Sequence, residues 1–117
     1  MLQTIFIAYT LFVIVLSLLP LPSAGTAIYK DKIVHFLMYG LMALLAYISV
    51  PSEGKRKHLL AFIIILGAAI ELIQIYIPGR SASLMDIFAN TGGVVFVIFL
   101  FWIYSRFFVR RVEGSGN

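Results

Sequence analysis

Four apolar runs, each closed by prolines or by charges, set the rhythm of this chain. The first extends from about Thr4 to Leu19 and stops at Pro20-Leu21-Pro22-Ser23-Ala24-Gly25, where two prolines remove backbone donors. The second covers Ile33 to Val50 and ends at Pro51-Ser52-Glu53-Gly54, ahead of the cluster Lys55-Arg56-Lys57-His58. The third, Leu59 to Ile77, closes at Pro78-Gly79, a strong turn dipeptide. The fourth runs from Leu84 to about Phe108, with Arg110-Arg111 and a polar tail beyond it. Each is close to the roughly 20 residues that cross about 30 Å of hydrocarbon. The pattern predicts an all-α fold, an integral membrane four-helix bundle.

Composition agrees. The 117 residues are 62% hydrophobic and 12% charged, with a mean hydropathy of +1.03, far from soluble domains and right for a bilayer. The net charge of +4 has a topological origin and no nucleic-acid partner is implied, because the basic residues flank apolar runs. Lys55, Arg56, Lys57, Arg106, Arg110 and Arg111 fall on one side, and Lys30, Lys32 and Arg80 on the other. Lys and Arg in short loops are retained in the cytoplasm, so both the N and C termini are expected there. The loops from Pro20 to Lys32 and from Pro78 to Ser83 then face outward. An uncleaved first span is expected rather than a signal peptide, since Met1-Leu2-Gln3 carries no basic side chain. One domain is expected over residues 1–112, followed by a tail, 113–117, that is flexible by composition. Without cysteine the chain has neither disulfides nor thiol nucleophiles. Tyr29, Tyr39, Tyr47, Tyr76, Trp102 and Tyr104 lie mostly toward span ends, as interfacial anchors do.

Against this background a few polar side chains stand out, because ionisable groups at membrane depth cost several kcal/mol unless paired or hydrated. Asp31, His35 and Tyr39 share one helical face, with Lys32 beside them; Glu71 and Gln74 share another; Asp86 and Asn90 share a third, continued by Gly93. At 1.5 Å per residue, Glu71 and Asn90 each lie roughly 9 Å inside the outer end of their span. The stripes should therefore point into the bundle, where His35, Glu71, Asn90 and the loop residue Arg80 could pair around an outward-facing cleft. Gly67-Ala68-Ala69 and Gly92-Gly93 would let spans three and four approach closely. Plainer roles compete. Ser83 and Asp86 have capping-box spacing, Asn90 and Gln74 fit interhelical hydrogen bonding, Arg80 fits a loop cation on lipid phosphate, and Tyr39 an interfacial anchor. His58 belongs with the basic cluster. Glu71, a turn and a half inside its span, is hardest to explain by structure alone.

Three motifs in order, Asp31-Lys32-x-x-His35-Phe36-x-x-Tyr39-Gly40, Glu71-x-x-Gln74, and Pro78-Gly79-Arg80-Ser81-x-Ser83-x-x-Asp86-x-x-x-Asn90-x-Gly92, resemble the VanZ-like family. The resemblance reaches nearly the whole chain. It implies a bacterial integral membrane protein, and for the family's founding member an accessory role in teicoplanin resistance. Asp31, Lys32, His35, Tyr39, Glu71, Gln74, Arg80, Ser81, Asp86 and Asn90 are the positions that match. The family has no firmly assigned residue roles to transfer.

Three functions follow as expectations. The first is a cleft that binds a lipid-linked cell-envelope precursor or a lipoglycopeptide antibiotic, with Arg80, Lys32 and Lys30 toward phosphate or carboxylate. The second is a membrane enzyme acting on an envelope lipid, with His35 or Glu71 as general base and Arg80 stabilising an anion. It lacks a GxSxG nucleophile context and an HExxH metal spacing, so no metal or other cofactor is expected. The third is a small transporter, for which four spans are few and no broken inverted repeat is evident.

Overall fold

The computed structural model describes residues 1–20 and 28–116. It is all-α: α1 (Leu2–Leu18), α2 (Ile28–Ser49), α3 (Glu53–Gln74) and α4 (Leu84–Tyr104), then a π-helical turn (Ser105–Val109) and a last short helix, α5 (Arg110–Gly114). Three stretches, Asp31–Ser49, Glu53–Gln74 and Leu84–Val112, are long and apolar enough to cross a membrane, and α1 is a shorter apolar helix of 17 residues. By helix length and hydropathy this is a multi-pass membrane protein. Its surface says the same: Phe12, Leu37, Ile65, Leu72, Phe88 and Phe99 are all exposed, as they would be to lipid tails.

The helices begin earlier than the apolar runs. Pro51 and Ser52 stop α2 and lead directly into α3 at Glu53, so Lys55, Arg56, Lys57 and His58 occupy a helical turn rather than a loop. Long charged side chains are good helix formers, and a helix need not end where hydrocarbon does. Likewise α2 begins ahead of the apolar run at Ile33 and takes in Asp31 and Lys32, in keeping with the helical face expected for Asp31, His35 and Tyr39. The stretch before it, residues 21–27, and the side chains of Tyr29 and Lys30 lie outside the described residues. The helix also continues past Arg110 through Gly114.

One stripe of α1, Phe6, Thr10, Val13 and Ser17, is buried, as helical periodicity requires. It meets Tyr39, Met42, Ala43 and Ala46 of α2, Leu60 and Ile63 of α3, and Val94 and Val97 of α4 in one core. The tightest crossing is between α2 and α4. A Cβ on Gly93 would lie 2.2 Å from the Phe36 carbonyl oxygen, and one on Gly40 would lie 3.5 Å from that of Gly93. The small residues thus join spans two and four backbone to backbone, where spans three and four had been expected to meet. Gly67 of α3 faces the same junction differently: a Cβ there would lie 2.9 Å from the Tyr39 ring and 3.4 Å from Asn90, so its absence leaves room for both. Small residues set backbone separation wherever they fall, and the pattern along one helix does not say which neighbour they face.

Candidate functional site

The α2–α4 crossing and the Gly67 seat bring the three polar stripes together at one end of the bundle. His35 is the hub. Its Nδ1 lies 2.9 Å from Asn90 Oδ1 and 3.5 Å from Glu71 Oε1, and its Nε2 lies 3.6 Å from Asp31 Oδ1. The Asn90 contact is within hydrogen-bond distance, while the Glu71 and Asp31 carboxylates stand at ion-pair range on either side of the ring. Glu71 is 1% exposed. Its other oxygen, Oε2, accepts from the Ser83 amide at 3.4 Å, tying the end of α3 to the start of α4.

Beside this hub Lys32 Nζ donates to Asp86 Oδ1 at 2.9 Å, with the carboxylate buried and the ammonium partly so. Asp86 therefore does not complete a capping box. Ser83 caps α4 by accepting from Met85 N at 3.2 Å, but its own amide turns to Glu71, and the acid at the third helical position goes to Lys32. A charged partner one helix away outcompetes the local backbone amide because hydrogen bonds between ionised groups are roughly twice as strong as neutral ones. One ligand atom each from Asp31, His35 and Asp86 lie within 4.8 Å of one another. The Lys32 ammonium already sits on one of these carboxylates and supplies the cation they require.

Three buried polar atoms, Tyr39 Oη, Glu71 Oε1 and Asn90 Nδ2, have no hydrogen-bond partner among the described residues. An unmade hydrogen bond on a buried group costs about 1–3 kcal/mol, so this is a site in tension rather than a settled core. Two of the three are donors and one an acceptor. Tyr39 is 2% exposed and belongs to the core, not to the interface where an aromatic anchor would sit.

Not every expected residue joins. Arg80 donates from Nη2 to the Leu16 carbonyl at 2.6 Å and from Nε to that of Leu19 at 3.0 Å, and Gln74 Nε2 donates to the Ser17 carbonyl at 2.8 Å. Both satisfy carbonyls that the end of α1 leaves without intrahelical partners. Arg80 is thus committed to α1 rather than paired with Glu71 or His35. The turn before it depends on Gly79, at φ 79°, the left-handed region that glycine enters without penalty. Ser81 is exposed and forms no hydrogen bond among the described residues. Ser83, whose amide fixes Glu71, was expected as a cap and as part of the third motif, not as a partner of Glu71.

The centre reaches the surface in two places. Asp31 and Lys32 open it at the end of α2. A crevice of about 150 Å³ leads in from the side, between the end of α3 and the start of α4, past Leu72, Ile75, Leu84 and Ile87 to Glu71. Its rim is apolar, with Leu72, Ile75 and Leu84 exposed. Toward the other end, buried Met42, Ala43, Ala46, Ile63 and Val94 close the bundle beneath the centre.

Fold and site together define a small helical membrane protein with a half-buried histidine against buried carboxylates at one end. The family model described as VanZ/LLP1 matches residues 6–105, from the first helix to the end of α4. The chain belongs to the VanZ/LLP1 family. Comparison with curated proteins and with solved structures gave no match.

Proposed function

We propose that this chain binds a long-chained cell-envelope amphiphile, either a lipid-linked precursor or a lipoglycopeptide antibiotic of the teicoplanin type, with its polar head at the His35–Glu71 centre. The observation that carries this reading is the lateral crevice, which joins an apolar, exposed rim to a carboxylate buried to 1% exposure. A hydrocarbon tail remains in the lipid-like surroundings of Leu72, Ile75 and Leu84 while the head reaches Glu71. The centre offers three carboxylates, Asp31, Glu71 and Asp86, against one ammonium, Lys32. That balance suits a head rich in hydroxyl or amino donors, such as a sugar, better than a bare phosphate, now that Arg80 is engaged by α1. The clustering of Lys55, Arg56, Lys57, Arg106, Arg110 and Arg111 at the opposite end supports cytoplasmic termini and a centre on the outer side of the bacterial cytoplasmic membrane. A link to teicoplanin resistance rests on the family alone.

Titrating the purified chain with an undecaprenyl-linked precursor and with teicoplanin tests the reading. Saturable binding to one of them is expected, weakened at least about tenfold by Glu71→Gln, since losing a charged hydrogen bond is worth about 1.5–3 kcal/mol. Saturable binding to neither overturns it. A second reading, turnover of the bound lipid, is favoured by one feature: the 2.9 Å contact of His35 Nδ1 with Asn90 Oδ1 orients the ring and leaves Nε2, 3.6 Å from Asp31, to take up a proton as a general base does. Appearance of a cleaved or exchanged lipid product that His35→Ala abolishes in the folded protein distinguishes the two. The apolar plug beneath the centre weighs against transport through a single chain.

A further inference from the structure

The opposite end of the bundle carries a larger groove, about 610 Å³, between α3 and α4. Its floor is apolar, made by Leu60, Ala61, Ile64 and Ile98, and Phe101 and Trp102 form one wall. Arg56, Lys57 and Glu53 stand at its mouth, two cations to one carboxylate, with Ser105, the first residue of the π-helical turn. Such turns are frequent at functional sites.

The mouth is built rather than merely charged. Arg56 donates from Nε to the Tyr47 carbonyl and from Nη2 to that of Val50, both at 3.1 Å, and its guanidinium lies 4.0 Å above the Tyr47 ring. Tyr47 in turn stacks on Phe101 at 3.7 Å. Two contacts to the carbonyls that end α2 fix the planar fork and leave its Nη1 uncommitted among the described residues. Lys57 meets Glu53 at 3.0 Å, but both side chains are about three-quarters exposed, 74% and 76%, so this pair is readily exchanged for another anion. Arg106, whose guanidinium lies 5.8 Å from the Trp102 ring, adds positive charge beside the groove.

The geometry points to a binding site for an anionic glycerophospholipid. One acyl chain lies along the Leu60–Ile64–Ile98 floor against Trp102, and the phosphate sits at the mouth between Arg56 and Lys57. A positive mouth above an apolar floor distinguishes an anionic lipid from a zwitterionic one, whose own cation would face these side chains. The site lies away from the His35 centre and does not depend on what that centre binds.

Trp102 is the chain's sole tryptophan and lines the groove, so its fluorescence reports occupancy. With the full chain in vesicles, brominated phosphatidylglycerol should quench Trp102 with about a fivefold preference over brominated phosphatidylcholine, as expected for a basic residue near a membrane anion. Lys57→Gln should reduce the preference, and Ala61→Phe, which fills the floor at an exposed position without changing charge, should abolish it. Arg110→Gln, outside the groove, should leave it largely intact. Equal quenching by the two lipids overturns the proposal, as does a preference that survives Ala61→Phe, because the attraction is then to the whole basic surface. Quenching that rises for both lipids alike as protein is diluted marks a second copy of the chain on the groove, and also overturns it.

Discussion

The two ends of this bundle handle charge in opposite ways. At the His35 end, carboxylates are buried against an imidazole and an ammonium drawn from another helix, and three polar atoms are left unsatisfied. At the Tyr47 end, charges remain at the surface, and Arg56 meets only carbonyls and an aromatic ring. Burial makes the first arrangement selective and costly, because desolvated ions require specific partners. Exposure makes the second tolerant, because water and lipid head groups replace any lost partner.

The contrast is broken most directly at Lys32. Lys32→Met leaves the Asp86 carboxylate buried without its cation and should destabilise the protein by about 3–5 kcal/mol, read as a lower melting temperature in detergent. The double variant Lys32→Met/Asp86→Leu should recover most of that loss. A double variant no more stable than the single one would show that the pair is not the controlling interaction. Next in size is the backbone contact on which the polar end is built. Gly93→Ala places a Cβ 2.2 Å from the Phe36 carbonyl and should cost about 3 kcal/mol through forced separation of α2 and α4. Gly54→Ala, with open space around it, should cost nothing measurable. Size-exclusion profiles and thermal melts of the two variants separate these outcomes.

A smaller effect is expected at Arg80, whose bonds to α1 are solvent-accessible. Arg80→Gln should cost about 1 kcal/mol, the scale of losing a helix cap, and should leave ligand affinity at the His35 centre unchanged. A large loss of affinity with normal stability would return Arg80 to the site. The smallest change belongs to the exposed end. Glu53→Gln should leave the melting temperature where it is, and a clear drop would show that charge there is structural after all.

Much of this could be read along the chain. The stripes Asp31–His35–Tyr39 and Asp86–Asn90–Gly93 follow from helical periodicity, and Glu71 was conspicuous because no single run of apolar residues explains it. The meeting of His35, Glu71 and Asn90 at one depth was expected and is found. Arg80 and Asp86 were harder to read for the same reason. Each had several acceptable partners at similar distance in sequence, and a motif says nothing about which one lies nearest in space. Tyr39 was ambiguous because tyrosine suits both an interface and a core; the space left by Gly67 decides for the core.

By itself, the sequence determined the apolar runs, their helical faces and the end of the bundle at which polar groups gather. These are consequences of hydropathy and of a 3.6-residue period, both of which are local. Only the tertiary structure decided that α2 crosses α4 at Gly40 and Gly93, that Lys32 takes Asp86, and that Arg80 and Gln74 close α1. Those choices are differences of a few ångströms between competing partners, and they emerge only when all the helices are packed at once.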